Sequence, residues 1–235
     1  YKLAIRAAWK FYTNGALLCS AHEKFTLKKT PRPARFLKKV QEEWTAQLEK
    51  VQESQNYQSL KLYFQDECRL GTHTRQGCIL ALKGSAPVCK FTHGFEAAYY
   101  FGAVCPQTGE HLFAHAQKSN TVSFQQFLNE LSAKEPNSLI ILVLDNAKNH
   151  KAEALIIPEN IRFIFLPPYS PELNPIERVW LEVKRKLAWV VLYTLEEVET
   201  AFLNILQEYS LEDFQSLTAY PYIRKLFEVD NSNTS

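Results

Sequence analysis

The sequence predicts a mixed α/β domain preceded by a basic helical arm, and three observations carry that prediction. Strand-like apolar runs alternate with helical ones from residue 60 onward, the order that builds a sheet flanked by helices. The run Leu139–Leu144 is apolar without alternation, as a strand covered on both faces must be. The 235 residues, 46% hydrophobic and 22% charged, suffice for one good-sized domain or one domain plus an appendage.

Residues 3–22 read as helical, with Leu3, Ala7, Ala8 and Phe11 and later Leu17 and Leu18 as contacts; Asn14-Gly15 divides them into two short helices. Thr30-Pro-Arg-Pro33 is a breaker and marks a linker. Residues 34–53 then form one amphipathic helix, with Phe36, Leu37, Val40, Trp44, Leu48 and Val51 at three-to-four spacing. A boundary falls near residue 56, giving an N-terminal unit over 1–56 and a larger one over 57–230. Leu60–Gln65 is a strand, Gly71–Gly77 a turn, and Cys78–Leu82 a further strand. Ala97–Val104 is a buried strand, and Pro106–Gly109 turns it into His111–Ala116 as a hairpin. Thr121–Leu131 is a helix with Val122, Phe124, Phe127, Leu128 and Leu131 inward. Ile161–Leu166 is a second buried strand, followed by helices over Asn174–Trp189 and Leu195–Tyr209. The tail Asp230–Ser235 reads as frayed.

Charge is unevenly placed. Residues 1–40 hold ten Lys/Arg against Glu23 alone and carry +9, so the remaining 195 residues carry −7. A basic arm on an acidic body points to a polyanionic partner, with a solubilising tail as the plainer alternative. The five cysteines form no Cys-x-x-Cys pair, which argues for reduced thiols in a cytoplasmic, nucleoid-associated setting rather than a zinc site or disulfide framework. No apolar run reaches the ~18 residues that span a membrane. No signal peptide is visible at Tyr1, and Tyr1 is not a start residue, so the chain reads as a fragment.

Three acids end regular elements: Asp66 after Leu60–Phe64, Asp145 after Ile140–Leu144, and Glu177 on the first turn of a helix. Hard divalent cations take carboxylate oxygens, and two such ions about 3.5–4 Å apart can activate an attacking oxygen and stabilise a leaving one. Asp145 follows five apolar residues, where an acid is poorly solvated unless paired or metal-bound; capping the next helix is the other reading. Asp66 alone would be a turn acid. Glu177 also fits a capping box, with Asn174 as N-cap and Pro175 first in the helix. Glu67, Asn146, His150 and Lys184 are candidates for a supporting shell or for DNA contact. Exposure for Glu67, a helix cap for His150 and a solvated face for Lys184 are the alternatives.

Asp66-Glu-Cys-Arg-Leu-Gly71, Leu142-Val-Leu-Asp-Asn-Ala147 with His150, and Leu166-Pro-Pro-Tyr-Ser-Pro-Glu-Leu-Asn-Pro-Ile-Glu-Arg-Val-Trp180 together resemble the DDE transposases of the mariner superfamily, in its bacterial insertion-sequence branch. The resemblance covers roughly 57–210. It implies an RNase H-like fold in which Asp66, Asp145 and Glu177 hold two Mg2+ or Mn2+ ions. It further implies hydrolysis at transposon ends, attack of the freed 3′-hydroxyl on target DNA at a TA dinucleotide, and a homodimer joining two ends. In the family, helix-turn-helix modules bind the terminal inverted repeats; residues 1–25 would keep at most the end of the second. Lys28, Lys29, Arg32 and Arg35 would be the DNA-binding linker after it. The rival readings are a catalytically inactive, transposase-derived DNA-binding protein and another RNase H-like nuclease. The helix bearing Trp44 is a dimer or DNA-contact element, or packs on its own domain.

Overall fold

The structure, a computed structural model, describes residues 31–53, 56–77 and 88–228. Helix α1 spans Pro31–Glu53, strand β1 Ser59–His73, β2 His93–Val104 and β3 His111–Ala116. Helix α2 (Thr121–Lys134), β4 (Ser138–Leu144) and β5 (Ile161–Phe165) follow, then α3 (Ile176–Lys186), α4 (Leu195–Gln207), α5 (Leu211–Thr218) and α6 (Pro221–Glu228). The strands form one sheet in the order β3-β2-β1-β4-β5. The β1–β2 and β2–β3 pairs are antiparallel, whereas β1–β4 and β4–β5 are parallel. This is the mixed, helix-flanked order that the sequence predicts and the RNase H-like arrangement that the family resemblance implies.

Both faces of the sheet are covered. Leu62, Phe64, Cys68 and Leu70 of β1 pack with α1, α3 and α4 on one face. Tyr63 of β1, with Ile140, Leu142 and Leu144 of β4, packs under α2 on the other. Every residue of β4 is buried, which is why it lacks alternation. Trp44 lies in the first cluster, 6% exposed, alongside Phe36 and Val40, so α1 packs on the sheet. The division expected near residue 56 falls between α1 and β1, two elements that share this cluster.

Three local expectations change. Helix α1 begins at Pro31 rather than at 34, so Arg32 and Arg35 sit in its opening turns and not in a linker. Proline is accommodated there because the first N–H groups of a helix have no intrahelical partner. Gly71–His73 is strand rather than turn: pairing with β2 runs from Phe64↔Val104 to Gly71↔Ala97 and, past an irregularity, to His73↔His93. A β-carbon on Gly71 would meet the Glu96 carbonyl oxygen at 2.4 Å, so glycine serves close strand approach here. Helices α5 and α6 extend the chain beyond the last expected helix; Ser210 and Asp213 form a capping box that starts α5. The expectations for residues 3–22, Lys28, Lys29, Cys78–Leu82 and the tail lie outside the described residues.

Candidate active site

Pairing of β1 with β4 runs from Ser59↔Ser138 to Phe64↔Val143 and stops there. Continued two steps, that register sets Asp66 level with Asp145. Asp66 therefore does not end its strand; it stands where β1 loses its parallel neighbour and continues against β2 alone. It shares the face of Leu62 and Phe64, the face covered by α3. Opposite it in β2 is Gly102, whose absent β-carbon leaves room for the Trp180 ring; a β-carbon there would lie 2.6 Å from Trp180 Cζ2. Helix α3 thus lies directly on the sheet beside Asp66, with Glu177 on its first turn. Burial and then the Glu177 charge push the Asp66 carboxyl up to about 8, and the charges of Glu67 and Asp145 add to the rise. These acids are electrostatic neighbours.

Asp145 differs from expectation in its solvation. Strand β4 ends at Leu144, and the Asp145 side chain, 54% exposed, projects past it. The Ala147 N–H donates to its Oδ1 at 2.8 Å, and His150 Nδ1 lies 2.9 Å from the same oxygen. The His150 contact, with the Ala147 bond, holds the Asp145 carboxyl below the usual range despite partial burial.

His150 is 3% exposed and sits on a 3-10 turn, Lys148–Lys151, that has no side-chain cap. Its Nε2 lies 3.0 Å from Glu67 Oε1, and its ring centroid is 4.3 Å from that of Phe124. Burial alone would lower its pKa, but Asp145 and Glu67 together raise it to about 9. His150 is therefore held between two carboxylates that favour its protonated form, and is not a helix cap. Glu67, one residue from Asp66 and on the opposite face, also accepts from Ser119 Oγ at 3.1 Å. Ser119 carries no signal in the sequence.

Asn146 is engaged within the protein. Its Nδ2 donates to the Leu166 carbonyl at 2.5 Å and its Oδ1 accepts from Lys151 Nζ at 2.6 Å. These bonds tie the end of β5 to the residue after Asp145.

The capping box proposed for α3 does not form. The helix start carries no side-chain cap bond. Asn174 instead points inward, 3% exposed, and its Nδ2 donates to the Gln65 carbonyl at 2.9 Å. That bond fixes the approach of α3 to β1 at the residue before Asp66. Glu177 is left free of capping duty, half-buried, and its carboxyl is raised by burial against an opposing pull from Lys184. Lys184 thus lies within electrostatic reach of the acid.

Among the described residues, no three His, Cys, Asp or Glu side chains already stand in a metal-holding cluster. The Asp145 carboxylate faces His150 instead. The donor set nonetheless fits a hard cation: burial pushes the Asp66 and Glu177 carboxyls up, and all three acids offer oxygen. Of the basic residues expected to meet DNA, Arg35 is exposed on α1.

A family model described as "DDE superfamily endonuclease" matches residues 61–197, more than half of the chain and inclusive of Asp66, Asp145 and Glu177. An uncharacterised protein of Sinorhizobium fredii, y4pE/y4sA, is 42% identical over 84 residues; the match covers 35% of this chain and 62% of that protein. The Mos1 mariner paired end complex with Mn is similar at a TM-score of 0.59 and 14% identity, over 95% of this chain and 68% of that one. The Mos1 strand transfer complex gives a TM-score of 0.56 at 14% identity, over 96% and 69%. At such identity the likeness is one of fold.

Proposed function

This chain belongs to the DDE superfamily endonuclease family, and from that premise we propose that it is a transposase that cuts DNA at transposon ends and joins the freed 3′-hydroxyl to target DNA. The observation that carries the reading is the placement of Asp66 on β1, at the register position of Asp145 just past the end of β4 and beside the first turn of α3 that carries Glu177; burial and the Glu177 charge push the Asp66 carboxyl up to about 8. Carboxyls crowded out of water in this way favour a cation between them. Asp66, Asp145 and Glu177 would hold two Mg2+ or Mn2+ ions. When bound, such ions polarise the scissile phosphate and activate the attacking oxygen.

The chain's own residues do the remaining work. Asp66, whose carboxyl is pushed up to about 8, would release its proton to make room for a cation, and Glu177 would offer its carboxylate to the same cation. His150 holds Asp145 at the β4 end, and Lys184 offers a positive charge to the phosphate beside Glu177. Solved structures of similar fold include a Mos1 strand transfer complex and a Mos1 paired-end complex with the left transposon end, which supports terminal inverted repeats and target DNA as partners. A homodimer follows from the need to join two ends, and a TA target from the family resemblance. Among the described residues no helix is long and apolar enough to cross a membrane.

A catalytically inactive DNA-binding protein is the second reading, favoured by the engagement of Asp145 with His150. Cleavage of a transposon-end duplex with Mg2+ or Mn2+ separates the two. Asp66→Asn, Asp145→Asn and Glu177→Gln should each abolish cutting while the DNA still binds. Undiminished metal-dependent cutting by Asp145→Asn overturns the metal assignment, and absence of cutting by the unaltered chain favours the second reading.

A further inference from the structure

A groove of about 860 Å³ opens between the first turns of α1 and the segment after β5. Its size falls within the range of ligand pockets, about 300–1,000 Å³. Arg35, Lys38 and Lys39 line one wall, and all three are exposed. The acid on that wall, Glu42, lies 3.6 Å from Lys38 and offsets only part of the charge. The other wall holds Phe165, Pro167, Pro168 and Tyr169.

Tyr169 combines two unfavourable features. Its side chain is 96% exposed, so the ring buries almost none of its apolar surface. Its backbone stands at φ 57°, a conformation that L-residues other than Asn and Asp seldom adopt. The neighbours enforce this presentation. Pro168 fixes the backbone before it, and Ser170, 8% exposed, donates its hydroxyl to the Pro168 carbonyl at 3.4 Å. The chain holds an aromatic face out into solvent, across from three cations.

The groove also joins the acid site. Its Phe165 ring lies 4.9 Å from Lys151 Nζ, and Lys151 bonds Asn146, the residue after Asp145. The Asn146 bond to the Leu166 carbonyl anchors the same wall.

We infer that the groove binds a short single-stranded segment of the DNA being cut, with phosphates against Arg35, Lys38 and Lys39 and a base stacked on Tyr169. The inference rests on the proposed DNA-cleaving function. A cationic track facing an exposed aromatic is the pairing that single-stranded nucleic acid uses, because every unpaired base has a face to stack. In a duplex those faces are hidden, so the Tyr169 ring would contribute nothing.

The test uses the 235-residue chain and an oligonucleotide of about 10 nucleotides carrying 2-aminopurine, single-stranded or annealed. Binding is read by anisotropy and stacking by quenching of 2-aminopurine. Tyr169→Ala should weaken single-strand binding about tenfold and abolish the quenching, while Tyr169→Phe keeps both and duplex affinity is unchanged. Lys38→Gln with Lys39→Gln, which leaves the Tyr169 backbone untouched, should lower the salt slope of single-strand binding by about 1.4. Unaltered affinity and quenching in Tyr169→Ala overturns the inference, as does an equal loss on duplex, which marks a duplex-binding face. If the unaltered chain binds neither form, the proposed function itself fails; if it binds duplex and only the single-strand effects are missing, this inference alone fails.

Discussion

His150 joins Asp145 to Glu67, with Nδ1 2.9 Å from Asp145 Oδ1 and Nε2 3.0 Å from Glu67 Oε1. The ring is almost fully buried, so its charge is held by those two carboxylates and not by water. His150→Ala leaves Glu67, whose side chain is 19% exposed, without its cation. The expected cost is about 1–3 kcal/mol, nearly all of it from Glu67, because Asp145 is largely solvated. The folded pKa is raised from 6.5 to about 9, so the contribution is fully present below about 6.5 and is lost as pH climbs through 9. Urea unfolding at pH 6 and pH 9.5 should show a large deficit for His150→Ala at the lower pH and a smaller one at the higher. A deficit independent of pH would mean the imidazole is neutral.

Asp66 predicts a second pH dependence, coupled to metal. Its folded pKa of about 8 exceeds the ordinary 3.8, so between those values the folded state binds a proton that the unfolded state lacks. Stability from this group therefore falls as pH rises through that window, and the penalty is complete above 8. Asp66→Asn removes the penalty. The metal-free variant should melt several degrees above the unaltered chain at pH 8.5 and level with it near pH 4, at roughly 2–4 °C per kcal/mol. Added Mn2+ should raise the melting temperature of the unaltered chain more at pH 8.5 than at pH 6, and that of Asp66→Asn little at either. A metal response that does not grow with pH would separate Asp66 from the cation.

The contrast between Asp145 and Asn174 shows which parts of the site were legible in sequence. Strand β4 announced itself because seven consecutive buried residues leave no alternation, and Asp145 followed directly from its end. Asn174, by contrast, sits in a sequence that spells a helix cap, and locally nothing contradicts that. Its true partner is the Gln65 carbonyl, 109 positions away, which becomes available only once β1 lies beside α3. His150 and Glu67, 83 positions apart, were hidden for the same reason. Sequence pattern ends β1 too early because Gly71 reads as a turn residue, whereas pairing with β2 uses its missing side chain for close approach. Local pattern identified the acids; long-range pairing decides how they are held.

Asn174 should accordingly act on chemistry more than on DNA affinity. Its amide is buried and donates to a carbonyl one residue from Asp66. Asn174→Ala removes that donor and lets the first turn of α3 shift against β1, at an expected cost of about 1–2 kcal/mol. Cleavage rate should fall at least tenfold while duplex affinity stays within about twofold, since a small misplacement of Glu177, the proposed ligand, is costly to catalysis. Asn174→Asp, which sets a carboxylate against the same carbonyl, should be worse than alanine on both stability and rate. Equal losses of binding and cleavage in Asn174→Ala would assign Asn174 to the DNA surface instead.

Gly102 tests how α3 is seated. A methyl group there would lie 2.6 and 2.8 Å from Trp180 Cζ2 and Cη2 and 2.9 Å from Phe113 Cδ1. Neither ring can yield freely, because Trp180 is 1% exposed and Phe113 packs against it edge-on at 5.5 Å. Gly102→Ala must therefore push α3 off the sheet or force a strained rotamer, at about 1–3 kcal/mol. Glu177 lies one turn before Trp180 and moves with it, so cleavage should fall further than stability alone explains. The Trp180 emission should shift as its packing opens. Trp180→Phe makes space at the same contact, so the double variant Gly102→Ala/Trp180→Phe should be less destabilised than the sum of the two single changes. Additive losses would mean that Gly102 and Trp180 do not share this contact, and that something other than Gly102 sets the approach of α3 to Asp66.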